Sequence, residues 1–85
     1  MPRKGQLRPP MIPLQVAFDR VMESIDGCDD RVAVFMVGGN LMCTKSSSPS
    51  FEGNLDRLGG GIVGVYTIAA DARHVLEDLK QFYRQ

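Results

Sequence analysis

Apolar residues recur along this chain with two different periods, and each change of period marks a change of element. Leu14, Ala17, Phe18, Val21, Met22 and Ile25 follow one another at three- and four-residue steps, with Gln15, Asp19, Arg20, Glu23 and Ser24 mostly between them. That spacing lines one face of an α-helix. Pro13 suits its first turn, where the missing N–H would have no partner anyway, and Gly27 stands where a left-handed C-cap belongs. The pattern predicts a helix over 13–26. From Arg31 to Val37 the period falls to two, but with no polar phase: Val32, Val34 and Met36 fall on one face, Ala33, Phe35 and Val37 on the other. Gly38-Gly39-Asn40 is turn chemistry, and Leu41 to Thr44 reads as the returning strand of a hairpin.

Lys45 to Ser50 (KSSSPS) reads as a solvated linker whose serines are open to phosphorylation. The next piece supports two readings. Ser50 would cap a short helical turn carrying Phe51, Leu55 and Leu58 on one side, whereas Gly53-Asn54 favours a plain turn. Gly59-Gly60-Gly61 then feeds a β-branched run to Ala69, the expected central strand. Its faces are Ile62, Tyr66 and Ile68 against Val63, Val65 and Ala69, and Gly64 marks a bulge or a close backbone approach. Asp71 is a good N-cap for a last helix to Tyr83, with a stripe of Ala72, Val75, Leu76, Leu79, Phe82 and Tyr83.

The order helix, strand, strand, short segment, strand, helix defines a small α+β sandwich. The expected sheet is three-stranded and mostly antiparallel, with two helices on one face. A single domain spans 13–85 and follows a flexible basic arm, 1–12, with Arg3, Lys4 and Arg8 beside Pro9-Pro10. Two short helices cover one face of such a sheet, yet its strands lack the polar alternation of a wet second face. Each large apolar side chain left exposed there forfeits roughly 1.5–3 kcal/mol. Against a total stability of about 5–15 kcal/mol, several of them matter. The second face therefore needs a cover: another copy of the chain, a strand paired edge to edge, the 45–60 segment, or a different protein. The expectation is a homodimer or an obligate complex, with Phe35, Val63 and Val65 as the partner-binding residues.

Composition narrows the function without naming it. Ten basic and ten acidic residues cancel, so no overall field draws the chain to nucleic acid or to an anionic membrane. No apolar run approaches the ~20 residues of a bilayer span, and prolines interrupt the basic leader, which argues against a secretory signal. Cys28 and Cys43 lie fifteen positions apart, outside any CxxC spacing, and read as free thiols in the reducing cytoplasm.

The candidate chemical motifs fail on their own terms. Gly39 to Ser46 nearly spells a phosphate-binding loop, but Thr44 occupies the place of its second glycine and a serine-proline stretch replaces the helix that must follow. Gly59 to Gly64 matches GxGxxG as text, yet precedes a strand instead of following one. One histidine, His74, and two cysteines make no metal set, and Asp26, Asp29 and Asp30 lack the pattern of a calcium loop. No catalytic residue, metal or cofactor is assigned. The leading expectation is a non-enzymatic protein-binding module, an adaptor, regulator or inhibitor acting as a homodimer. The alternative is a small-ligand or nucleotide sensor built on the glycine turns, using Gly39, Asn40, Lys45, Arg57 and Gly60. A third is nucleic-acid contact through the basic arm. In element order alone the chain resembles small dimeric α/β scaffolds of the roadblock or profilin-like kind; no motif carries residues across.

Overall fold

The computed structural model describes residues 12–57 and 61–83. Its elements, in chain order, are α1 (Leu14–Ile25), β1 (Val32–Val37), β2 (Asn40–Lys45), α2 (Phe51–Arg57), β3 (Ile62–Tyr66) and α3 (Ala72–Tyr83). The three strands form one antiparallel sheet in the order β2-β1-β3. This is the expected α+β architecture, with one change of place. The central strand is β1, and β3 lies at an edge. The five-residue run in β1 that is buried throughout, Val32 to Met36, explains it: only a strand flanked by neighbours on both sides and covered on both faces has use for such a run.

The local signals act where the sequence places them. Pro13 is the N-cap of α1, and Gly27 adopts φ +68° just beyond its end. Gly38 and Gly39 take φ +60° and +84°, the two positive values that a tight two-residue hairpin turn demands. Asp71 caps α3, its Oδ1 accepting from the Arg73 amide at 2.9 Å.

The sheet has two cores. On one side α1 and α3 pack Ala17, Val21, Ile25, Val75 and Leu79 against Val32, Val34, Met36 and Tyr66. On the other, Phe51 of α2 buries Ala33 and Phe35, with Leu55 and Ile62 beside them. The segment from Phe51 to Arg57 is thus a helix, and it roofs part of the reverse face. Its anchors are an aromatic ring under the Arg31 guanidinium, 5.4 Å from the ring centroid, and a buried Asn54 that donates to Thr44 Oγ1 at 3.2 Å. Gly53 lies on its exposed side, where the lack of a side chain leaves no gap in the core.

β3 departs from simple alternation. Its register with β1 slips between Val34 and Phe35, so that Gly64 pairs with Val34, Ile62 with Phe35, and Val63 is the extra residue of a bulge. The bulge reverses the phase of the strand. Ile62 and Val65 belong to the α2 side, whereas Val63 and Tyr66 pack toward α1 and α3. Gly64 also permits a close approach: a Cβ there would lie 2.6 Å from Tyr66 Cζ. The strand ends at Tyr66, short of the expected Ala69, because Thr67 opens a turn closed by the Ala70 amide on its carbonyl at 2.9 Å.

Candidate protein-binding edge

Among the described residues β3 is the less protected boundary of the sheet. Its five residues, Ile62, Val63, Gly64, Val65 and Tyr66, include no charge and no proline, and one side of the strand has no neighbour among the described strands. Sheet edges of this kind are normally blunted by lysine, proline or a covering segment, because their free N–H and C=O groups template further pairing. The opposite edge, β2, carries Lys45 at its end, and its Thr44 is engaged by Asn54 from α2. Val65 is 40% exposed and Ile68, just past β3, is 58% exposed, the two highest values among the large apolar residues described.

The three residues expected to bind a partner do not share a surface. Phe35 is fully buried beneath α2, because Phe51 and Leu55 fill the space a partner would have needed. Val63 is half-buried against the α1/α3 core, where the bulge has turned it. Of the three only Val65 is exposed, on the α2-side face of the edge strand. Alternation places Ile68 on a strand face, but β3 ends at Tyr66 and Ile68 stands exposed in the turn that follows.

The residues of the ligand alternative are scattered. Gly39 and Asn40 form the hairpin tip, whereas Lys45 ends the same strand five steps away, roughly 17 Å for an extended chain. Gly39 is buried, Asn40 exposed, and Arg57 reaches Asn54 Oδ1 at 3.4 Å from the last turn of α2. Gly60 lies outside the described residues, as do Arg3, Lys4 and Arg8 of the basic arm. Ile12, counted with that arm, packs on the helix-side core, and its carbonyl accepts from Tyr83 Oη at 2.6 Å. A shallow, open groove of about 480 Å³ runs between β2 and α2 past Met42, Thr44, Lys45, Ser48 and Asn54. A second hollow, on α1, is rimmed by Asp19, Glu23 and Asp26.

The titratable groups are spread as widely. Tyr66 Oη donates to Asp78 Oδ2 at 2.6 Å, and burial together with that carboxylate pushes its ionisation well above the ordinary tyrosine range. His74 Nε2 stands 3.6 Å from the same oxygen on an exposed helix face. Burial likewise raises the Cys43 thiol, which, like Cys28, is free. Among the described residues, no three His, Cys, Asp or Glu side chains gather as metal ligands. No described helix is long and apolar enough to cross a membrane. Compared with known proteins, the chain matches no family model, no curated sequence and no solved structure.

Proposed function

We propose that this chain is a non-enzymatic protein-binding module of the cytoplasm, an adaptor or regulator that works as a homodimer through the edge of β3. One observation carries the reading: among the described residues an uncharged five-residue strand is left open along one side, with Val65 exposed on it and Ile68 exposed in the turn that follows. A second copy suits that edge because an uncharged strand meets its own image across a two-fold without placing like charges together. Strand addition at the edge supplies the main-chain hydrogen bonds, and Val65 supplies the apolar contact. The cover given by α2 reduces the apolar surface that needs a partner, and it moves the contact from the middle of the sheet to its rim.

Light scattering on the full chain after size exclusion tests the reading. The expected mass at tens of micromolar is that of two chains, and Val65→Lys, which sets a charge on the edge, gives one chain with an unchanged circular dichroism spectrum. Val63 is unsuitable for this purpose, since an acid there would strike the core. A wild-type monomer across that range, or a Val65→Lys dimer as tight as the wild type, refutes the assignment.

A further inference from the structure

The stretch Lys45 to Ser50 is less of a free linker than its composition suggests. Ser46 extends the sheet by one step, its amide donating to the Arg31 carbonyl at 2.8 Å and its Oγ accepting from the Arg31 amide at 3.2 Å. Ser48 then closes two turns, donating its amide to the Lys45 carbonyl at 3.0 Å and accepting from the Phe51 amide at 3.1 Å. Its Oγ accepts from the Ser50 amide at 3.3 Å and shares a proton with Ser50 Oγ at 2.9 Å. Ser48 is therefore the joint through which β2 is connected to α2. It is half-buried and followed by Pro49, and Ser47, Pro49 and Ser50 around it are exposed.

We propose that Ser48 is a phosphorylation site for a proline-directed protein kinase, and that the phosphate is held by Arg31 and Lys45 so as to fasten α2 onto the sheet. The transfer is an ordinary one: Ser48 Oγ bonds to the γ-phosphorus of ATP, the bond from that phosphorus to the bridging oxygen breaks, ADP departs, and the hydroxyl proton goes to the kinase base. The product carries close to two negative charges and three acceptor oxygens. Lys45 lies three residues back, at the other end of the turn that Ser48 closes; paired with Val32, its side chain starts on the α1/α3 side and reaches the loop round the end of the strand. Arg31 is fixed to the same loop by both of its backbone bonds to Ser46, and its guanidinium stacks on Phe51. Stacking occupies the face of a guanidinium and leaves its in-plane N–H groups free to reach an anion. The modification thus ties the start of β1 to the loop that leads into α2, with Phe51 beneath the clasp.

The test uses the full chain, ATP and a purified proline-directed serine kinase, read by mass spectrometry and by hydrogen exchange of residues 51–57. Incorporation of one phosphate at Ser48, abolished by Ser48→Ala, is expected. Exchange across α2 then slows by about two- to fivefold, the scale of a partly exposed charged contact, and Arg31→Ala with Lys45→Ala cancels the slowing. No incorporation, or incorporation only at another serine, overturns the site. Phosphate at Ser48 with α2 exchange unchanged, or with slowing that survives loss of both cations, overturns the clasp. Neither outcome depends on whether the chain is a dimer.

Discussion

Gly64→Ala tests the geometry of β3 most directly. Tyr66 is 5% exposed, and its ring runs back along the strand over Gly64 to deliver its hydroxyl to Asp78. A methyl group at position 64 would sit 2.6 Å from Tyr66 Cζ and 3.2 Å from Cε1. Comfortable carbon contacts begin near ~3.5 Å, so the ring must retreat by about 1 Å. The ring has little room to do so, because it is packed within the core shared with α1 and α3. Overfilling of this kind costs about 1–3 kcal/mol. Moving the hydroxyl off Asp78 adds roughly 1 kcal/mol, the low end for a charged acceptor since that carboxylate is partly solvated. Alanine returns about 0.4–1 kcal/mol by stiffening the unfolded chain. The net loss is about 1–3.5 kcal/mol, which for a domain of this size lowers the melting temperature by roughly 5–25 °C.

Urea and thermal melts followed by circular dichroism measure that loss, and a double-mutant cycle assigns it. With Tyr66→Leu in place the obstructing ring is gone, so Gly64→Ala becomes nearly neutral and the coupling between the sites exceeds about 1 kcal/mol. Two results would refute the reasoning. One is a Gly64→Ala melt within a degree or two of the wild type; the other is an equal loss in both backgrounds.

Two other perturbations follow from the same structure. Phe51→Ala removes the anchor of α2, costs about 3–5 kcal/mol in a urea titration, and exposes Ala33 and Phe35 to a hydrophobic dye; an unchanged midpoint would show that α2 does not cover this face. Tyr66 ionises at a higher pH when folded than its ordinary value of 10.0, so above that pH the unfolded chain holds fewer protons than the native one and stability declines as pH rises. Cys43 and Tyr83 are shifted in the same direction. Tyr66→Phe is therefore expected to flatten the alkaline loss by up to about 1.4 kcal/mol per pH unit; identical pH profiles for variant and wild type would count against the buried hydroxyl.

The open edge of β3 and the cover over β1 are parts of one arrangement. α2 reaches Ala33, Phe35 and Ile62, while Val65, paired with Ala33 on the outer strand, remains exposed. Around that cover Val37 at the end of β1 and Met42 on β2 are exposed as well. If the proposed contact runs along β3, a single lysine at Val65 is the sharper probe.

Local chemistry was enough to specify most of the parts of this protein. The helical stripes of α1 and α3, the glycine pair at the hairpin tip, the Asp71 cap and the two-faced alternation of β1 all follow from neighbours in the chain, because backbone sterics and side-chain period act over a few residues. Gly64 was legible as a bulge or a close approach; it is the close approach, to the Tyr66 ring, and the bulge falls next to it at Val63. What the chain could not declare is how the parts face one another. Strand order depends on contacts between residues far apart in sequence, so β1 became central and β3 an edge. The bulge inverted the faces of β3, sending Val63 to the core and leaving Val65 outside, since one extra residue flips a period of two. The helix at 51–57, with Gly53 in its middle, is a poor helix by propensity; burial of Phe51 against Phe35 and the Asn54–Thr44 bond decided it, and those are tertiary terms.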